Sequence, residues 1–340
     1  MKNKKYFKAA VSLGVGAILL TSAVFANYEN AGGYSVCKNA LKKVAFAENF
    51  SMDYTGNISI DSESCAKIYG SYKLNVDGNP SAQTESTEVS GNYTYFSRRT
   101  LQDDIHIQEF NDGNNPDNPG YIHDRNSKAQ SLASGITNDP ETGEKLINFV
   151  ETLSDTLIGD LKNSFVLTSD EGGVKKYDVT LSKEQLPSYV TSGVSLLTSA
   201  IRNENSASSV SAEEALANGD PTPMFFGSGE PYVRVVSANM SVDDKGNPVQ
   251  VTATVNIIGY DINGTEHVMS VNISIDFYDF GTTEIERVSD EEMRKLNDYR
   301  SKTIQPKDVE IKTEAAAEVT NNQITAEIND GDGPTAVYID

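Results

Sequence analysis

His106 and His123 flank residues 111–120, a segment packed with Asn, Asp, Gly and Pro, and Asp103, Asp104 and Asp124 lie beside them. Two imidazoles and a carboxylate are a donor set for zinc, and on paired strands the two histidines could face each other. Acids occur throughout this chain, so the plainer reading is exposed histidines beside exposed acids, and no metal is assigned. Calcium fits no better. No D-x-[DN]-x-[DN]-G run with a distal Glu occurs at 111–120, at Asp261 or at Asp330. His267 shares a phase with Met269 and Val271, which marks a histidine at a strand end. Asp279-Phe280-Gly281 copies a kinase triplet, but no glycine-rich loop, strand lysine or H-R-D accompanies it. No G-x-S-x-G, Walker or H-E-x-x-H pattern is present. No catalytic residue and no cofactor is therefore assigned, and a non-enzymatic protein is expected.

Cys37 and Cys65 are the two cysteines of the chain. In an exported protein an isolated pair is more often a disulfide than a metal site or a nucleophile. A bridge would tie the first helix to the second strand; two separate buried thiols are the alternative. Export is expected from the first 26 residues. Lys2, Lys4, Lys5 and Lys8 precede an apolar run from Ala9 to Leu20, and Val24 and Ala26 have the spacing of a signal-peptidase site. A retained N-terminal membrane anchor is the competing reading. Either way the body lies outside the cytoplasm, secreted or at the cell surface, and touches a membrane only through an uncleaved N-terminus. With 49 acids against 28 bases the formal charge is −21. Such a chain repels phosphate backbones, so nucleic acid is not an expected partner.

The elements that position these residues are read from periodicity. Tyr232, Val236, Ala238, Met240 and Val242 share one phase. Val249, Val251, Ala253, Val255 and Ile257 form a second alternating series, and His267, Met269, Val271, Ile273, Ile275 and Phe277 a third. Turn-rich breaks at 243–248 and 261–264 separate them, which spells a three-stranded antiparallel meander. Phe50, Met52, Tyr54, Ile58 and Ile60 make an earlier strand, and Ala66, Ile68, Tyr72, Leu74 and Val76 its neighbour. Gly56 and Gly70 stand in phase within them, as a bent sheet requires. Residues 89–98 and 105–110 read as further strands. Residues 165–167 and 177–181 read as a small hairpin around Gly172-Gly173.

Helical spacing appears first in Tyr34, Cys37, Leu41 and Val44. It returns at 139–164, where Leu146, Val150, Leu153, Leu157 and Leu161 share a face, and at 187–201. Ser289 and Glu292 have capping-box spacing before a short helix over 288–300. Residues 301–340 are acidic and read as mostly disordered.

Several stretches resemble the LolA/LppX-like superfamily of bacterial envelope proteins, and within it exported proteins of Gram-positive bacteria without assigned function. Gly33-Tyr34, Leu41-Lys42-Lys43 and Tyr54-Thr55-Gly56-Asn57 carry the likeness at the front. Tyr177-Asp178-Val179-Thr180-Leu181-Ser182 with Gln185-Leu186-Pro187 carries it in the middle, and Asp276-Phe277 with Phe280-Gly281-Thr282-Thr283 at the end. The resemblance covers 33–287. It implies an α+β fold in which a strongly curved antiparallel β-sheet, a half-barrel, is covered by two or three helices. Members with known roles carry lipids or lipidated proteins in an apolar cavity between sheet and helices.

The candidate ligand-binding residues on that reading are Tyr54, Tyr72, Met269, Ile273, Phe277 and, from the covering helix, Leu153. Burial of apolar ligand surface contributes about 25 cal/mol per Å² with no polar motif. A filled core would therefore leave the same sequence pattern. The expected function is an extracytoplasmic envelope protein binding a lipid or other apolar ligand. The alternative is a cell-surface interaction or sensor ectodomain with a closed core and an envelope protein as partner.

Overall fold

Thr and Ser alternate with Val, Ile and Ala along the longest strands, and this pattern builds a sheet with two chemically distinct faces. The computed structural model describes residues 32–91, 93–112, 120–123, 129–132, 165–186 and 229–303. The expected signal segment at 1–26, the helices at 139–164 and 187–201, and the tail beyond 303 lie outside the described residues.

Helix α1, Gly32–Phe46, precedes six strands: β1 Asn49–Ile60, β2 Glu63–Asn75, β3 Ala82–Ser90, β4 Tyr93–Gln102, β5 Ile105–Asp112 and β6 Gly120–His123. The hairpin β7 Val166–Glu171 and β8 Val174–Ser182 follows. The meander β9 Tyr232–Asp243, β10 Pro248–Tyr260 and β11 Glu266–Tyr278 then leads to helix α2, Asp290–Thr303. All eleven strands form one open antiparallel sheet in the order β6-β5-β4-β3-β2-β1-β11-β10-β9-β8-β7. Every neighbouring pair is consecutive in the chain except β1 and β11.

The meander forms as its alternation dictates. Asp243 and Asp261 close its two turns by one device. Asp243 Oδ1 accepts from the backbone N–H groups of Lys245 (3.0 Å) and Asn247 (2.7 Å). Asp261 Oδ1 accepts from those of Asn263 (2.9 Å) and Thr265 (2.7 Å). Aspartate favours turns for this reason: its short side chain bonds the backbone two to four residues ahead. One position departs from strict alternation. The register slips between Asn256↔Val235 and Ile257↔Val233, so Val233, rather than the expected Tyr232, joins the buried face.

Helix α1 buries Tyr34, Cys37, Ala40 and Val44. They pack with Phe50, Leu74, Tyr177, Val179, Leu181, Met240, Val251 and Phe277. Ala40 is wholly buried and Leu41 only partly so, which rotates the buried stripe slightly from the one expected. Phe50, Leu74 and Met240 are fully buried, and each such side chain contributes about 1.5–3 kcal/mol relative to exposure. This defines the α1 face of the sheet. A second buried cluster lies at the other end of the same face: Ile58, Ile60, Cys65, Ala66, Val233, Val236, Val255, Ile257, Met269 and Val271.

The expected short helix after the meander is α2, and it packs on the reverse face. Ile107 and Ile122 are buried with Val288 and Leu296, beside Ile105 and Met293. Its capping box forms as the spacing demands. The Ser289 backbone N–H donates to Glu292 Oε2 (2.9 Å), and the Glu292 N–H donates to Ser289 Oγ (3.3 Å). Buried Gln102 fixes the approach to the helix. Its Nε2 donates to the Val288 carbonyl (3.1 Å) while its Oε1 accepts from the Val288 N–H (2.9 Å).

Two expectations need correction. The single strand expected at 89–98 is two strands, β3 and β4, with Gly91 in the turn between them at φ 54°. Strand β3 carries polar residues on both faces, so it has no alternation to find. Second, Cys37 and Cys65 are both buried and are not bridged to each other. They belong to different clusters, whose β1 members Phe50 and Ile58 stand at opposite ends of the strand. Eight residues of strand rise about 26 Å. A bridge needs Cα atoms within about 7 Å. Burial pushes the Cys37 thiol up to about 12, which leaves it inert as a nucleophile.

Candidate functional site

Between the two buried clusters the α1 face is left half-buried. Met52, Tyr54 and Gly56 on β1, Ile68, Gly70 and Tyr72 on β2, and Ile273 and Ile275 on β11 form this belt. Pairing in register joins them into cross-strand rows: Ile68–Gly56–Ile273–Ala253 and, beside it, Gly70–Tyr54–Ile275–Val251. The belt is apolar because the residues in this phase of the three strands, apart from His267 at the start of β11, are apolar or glycine.

Tyr54 shows why a glycine stands in β2. Its ring reaches over its partner Gly70, and its hydroxyl donates to the Glu85 carbonyl on β3 at 3.0 Å. A Cβ on Gly70 would lie 2.8 Å from that hydroxyl and in hard collision with the Glu85 carbonyl oxygen. Glycine is the one residue that fits. Burial, and then the charge of Glu88, raises the Tyr54 hydroxyl above its ordinary range. Burial likewise pushes Tyr72 up to about 12, so both phenols are neutral at any physiological pH.

Glu88 marks the polar end of the belt. It pairs with Ile68 on one side and Tyr95 on the other, and so faces the same way as Tyr54. Burial pushes its carboxyl up to about 7, although the charge of Arg99 opposes the shift. Beyond it, Tyr95 stacks with Tyr93 at 6.5 Å and tilts against Phe110 at 5.9 Å. Sequence reasoning missed Glu88, because nothing in the polar run of β3 distinguishes it from Glu85, which salt-bridges Arg98 on the reverse face at 2.9 Å.

The expected ligand residues divide. Tyr54, Tyr72 and Ile273 lie in the belt. Met269 belongs to the buried cluster at one end and Phe277 to that at the other. Leu153 is outside the described residues.

Of the expected histidine and acid positions, Asp124 lies outside the described residues. His106 and His123 are directly paired in register across β5 and β6. Asp103, in the β4–β5 turn, accepts from Asn79 Nδ2 and from Arg287 Nη2, both at 2.6 Å. The hydrogen bond from Arg287, and then that from Asn79, holds its carboxyl below its ordinary range. Among the described residues no group of three or more His, Cys, Asp and Glu is placed to hold a metal ion. His267 bonds Asp61 Oδ2 through Nδ1 at 2.7 Å, and its Nε2 lies 3.8 Å from Asp261 Oδ2. It joins the tips of the β1–β2 and β10–β11 hairpins. Burial would raise the Asp61 carboxyl, but its hydrogen bonds with His267 and the Val268 N–H outweigh this and leave it lowered.

No family model and no curated protein matches this chain. Among solved structures, a LolA superfamily protein, NE2245 from Nitrosomonas europaea, overlaps 75% of this chain and 94% of its own, at 6% identity and a TM-score of 0.15. GphF Dehydratase 1 overlaps 70% of this chain and 81% of its own, at 8% identity and a TM-score of 0.11. Neither likeness assigns a family or an activity. Among the described residues no helix is long and apolar enough to cross a membrane.

Proposed function

We infer that this is an exported, non-enzymatic protein of the cell envelope that receives a lipid-like or other apolar ligand on its α1 face. On this reading the sheet curves as a half-barrel, and the ligand lies across Tyr54, Tyr72 and Ile273. The observation that carries the reading is the half-buried apolar belt between two fully buried clusters. A sheet evolved only for a closed core would bury its central residues at least as well as its ends. Here the centre is the less buried part. The belt offers apolar area without directional groups, which suits an acyl chain, while Glu88 and Ser86 stand at its rim for a polar end.

Native mass spectrometry of the protein purified from its own host, followed by lipid extraction, tests this. A co-purifying lipid is expected, and Ile273→Trp should abolish it while leaving the unfolding midpoint near that of the parent. Protein that carries no lipid and does not bind a fluorescent fatty-acid probe would overturn the reading. The interaction or sensor ectodomain would then lead.

A further inference from the structure

The reverse face of the same four strands carries a second feature, a groove of about 340 Å³. Two cross-strand rows line it, Tyr69–Thr55–Ser274–Thr252 and Lys67–Asn57–Asn272–Thr254, together with Ile68, Gly56, Ile273 and Ala253 of the row between them. Its size is at the low end of the roughly 300–1,000 Å³ of small-ligand sites. We propose that this groove binds a short glycan whose sugars bear a carbonyl or carboxylate acceptor, with Tyr69 as the stacking platform. The proposal concerns the face opposite the apolar belt and stands independently of the lipid reading.

The first argument is the Tyr69 ring. It is 47% exposed on an otherwise polar face and makes no ring contact or hydrogen bond among the described residues. An aromatic ring held out beside hydroxyls and amides matches the apolar C–H face of a pyranose with the polar rim around it. The second argument is the direction of the hydrogen bonds. The Thr254 hydroxyl donates to Asn272 Oδ1 at 2.8 Å, and the Ser64 hydroxyl donates to Asn57 Oδ1 at 2.6 Å. Both side-chain carbonyls are thus occupied, and both amide NH₂ groups are left as donors in adjacent positions of one row. Lys67 at the end of that row adds an ammonium.

The third argument is charge. A chain of net charge −21 places no carboxylate among the lining residues of this groove. The acids of the next row are engaged elsewhere. Asp53 accepts from the Tyr278 hydroxyl (3.0 Å) and Asp276 from Gln250 Nε2 (2.7 Å). The two amides and the Lys67 ammonium add donors to hydroxyls that both donate and accept, which suits a ligand rich in acceptor oxygens. A lipid tail would leave those donors unsatisfied.

The test is titration of the full-length protein with three trisaccharides, of N-acetylglucosamine, of galacturonic acid and of glucose, followed by calorimetry and by the methyl signals of Thr252 and Thr254. The acetamido or the uronic trisaccharide should bind, with the glucose trisaccharide at least tenfold weaker. Tyr69→Ala and Asn272→Leu should each weaken binding at least tenfold. Tyr69 is exposed, so its replacement should leave the unfolding midpoint unchanged, which separates lost binding from lost fold. Absence of binding by all three probes at about 10 mM would overturn the proposal, since affinities weaker than the millimolar range amount to less than about 4 kcal/mol. Equal binding of the glucose trisaccharide, or binding indifferent to both substitutions, would also overturn it.

Discussion

Ile68, Gly56, Ile273 and Ala253 form one cross-strand row on the α1 face of β2, β1, β11 and β10. The rows that flank it on the reverse face carry Tyr69, Thr55, Ser274 and Thr252, then Lys67, Asn57, Asn272 and Thr254. One layer of backbone separates a surface without directional groups from one made almost wholly of them. Period-two alternation produces both at once, since each strand sends successive side chains to opposite sides. The difference teaches which kind of binding each side can support. The α1 face recognises by area and shape, and the reverse face by the placement of donors.

The largest expected contrast comes from adjacent residues of β2. Leu74 is fully buried on the α1 face, and Lys73 is its neighbour on the reverse face. Leu74→Ala should cost about 3 kcal/mol in urea unfolding, from lost burial plus a cavity. Lys73→Ala should change stability by less than about 0.5 kcal/mol. Equal costs would mean that the two faces are not the separate environments described.

A smaller effect is expected at Gly70. Valine there must displace the Tyr54 hydroxyl and the Glu85 carbonyl, so Gly70→Val should destabilise by about 2 kcal/mol. It should also abolish ligand binding on the α1 face. Tyr54→Phe in the same background should recover part of the loss, because it removes one of the two colliding groups.

The smallest effect is a pH dependence. The folded-state pKa of Glu88 is about 7, above the ordinary carboxyl value, so the native state holds this proton more tightly than the unfolded chain does. Stability from this group is therefore highest below the ordinary carboxyl range and falls as pH rises towards 7. Glu88→Gln should raise the melting temperature at pH 8 and lose that advantage near pH 4. Thermal scans of the two proteins across this range check the sign.

The meander was legible because each of its strands alternates over ten or more residues and its turns are spelled by Asp, Asn and Gly. Tyr232 and Val233 were exchanged because a bulge shifts the phase by one, and no residue type announces a bulge of this kind. Strand β3 was illegible for another reason. Both of its faces are polar, and only its neighbours identify it as sheet. The cysteine pair misled because sequence separation says nothing about where along a strand a thiol lies. Tyr54, Tyr72 and Ile273 were placed on one face by their phase. That they form a half-buried belt while Met269 and Phe277 sit in buried clusters depends on packing. The groove on the reverse face has no sequence signature, since Thr, Ser and Asn on a solvent-facing phase look like any exposed strand.

The junction of β1 with β11 has a consequence for how the chain folds. All other neighbouring strands are consecutive, so β1–β6, the β7–β8 hairpin and the β9–β11 meander can each form from local pairings, while β8–β9 pairs across the segment 183–231 and the β1–β11 seam spans the longest separation. That seam closes a loop of some two hundred residues. Loop-closure entropy grows only as the logarithm of length, with each doubling costing about 0.6 kcal/mol. The rate of folding should answer to the seam, where Met52 meets Phe277 and Ile58 meets Val271. A circular permutant linked from the end of α2 to the start of α1 would shorten the separation of β11 from β1 in sequence and should fold faster than the parent.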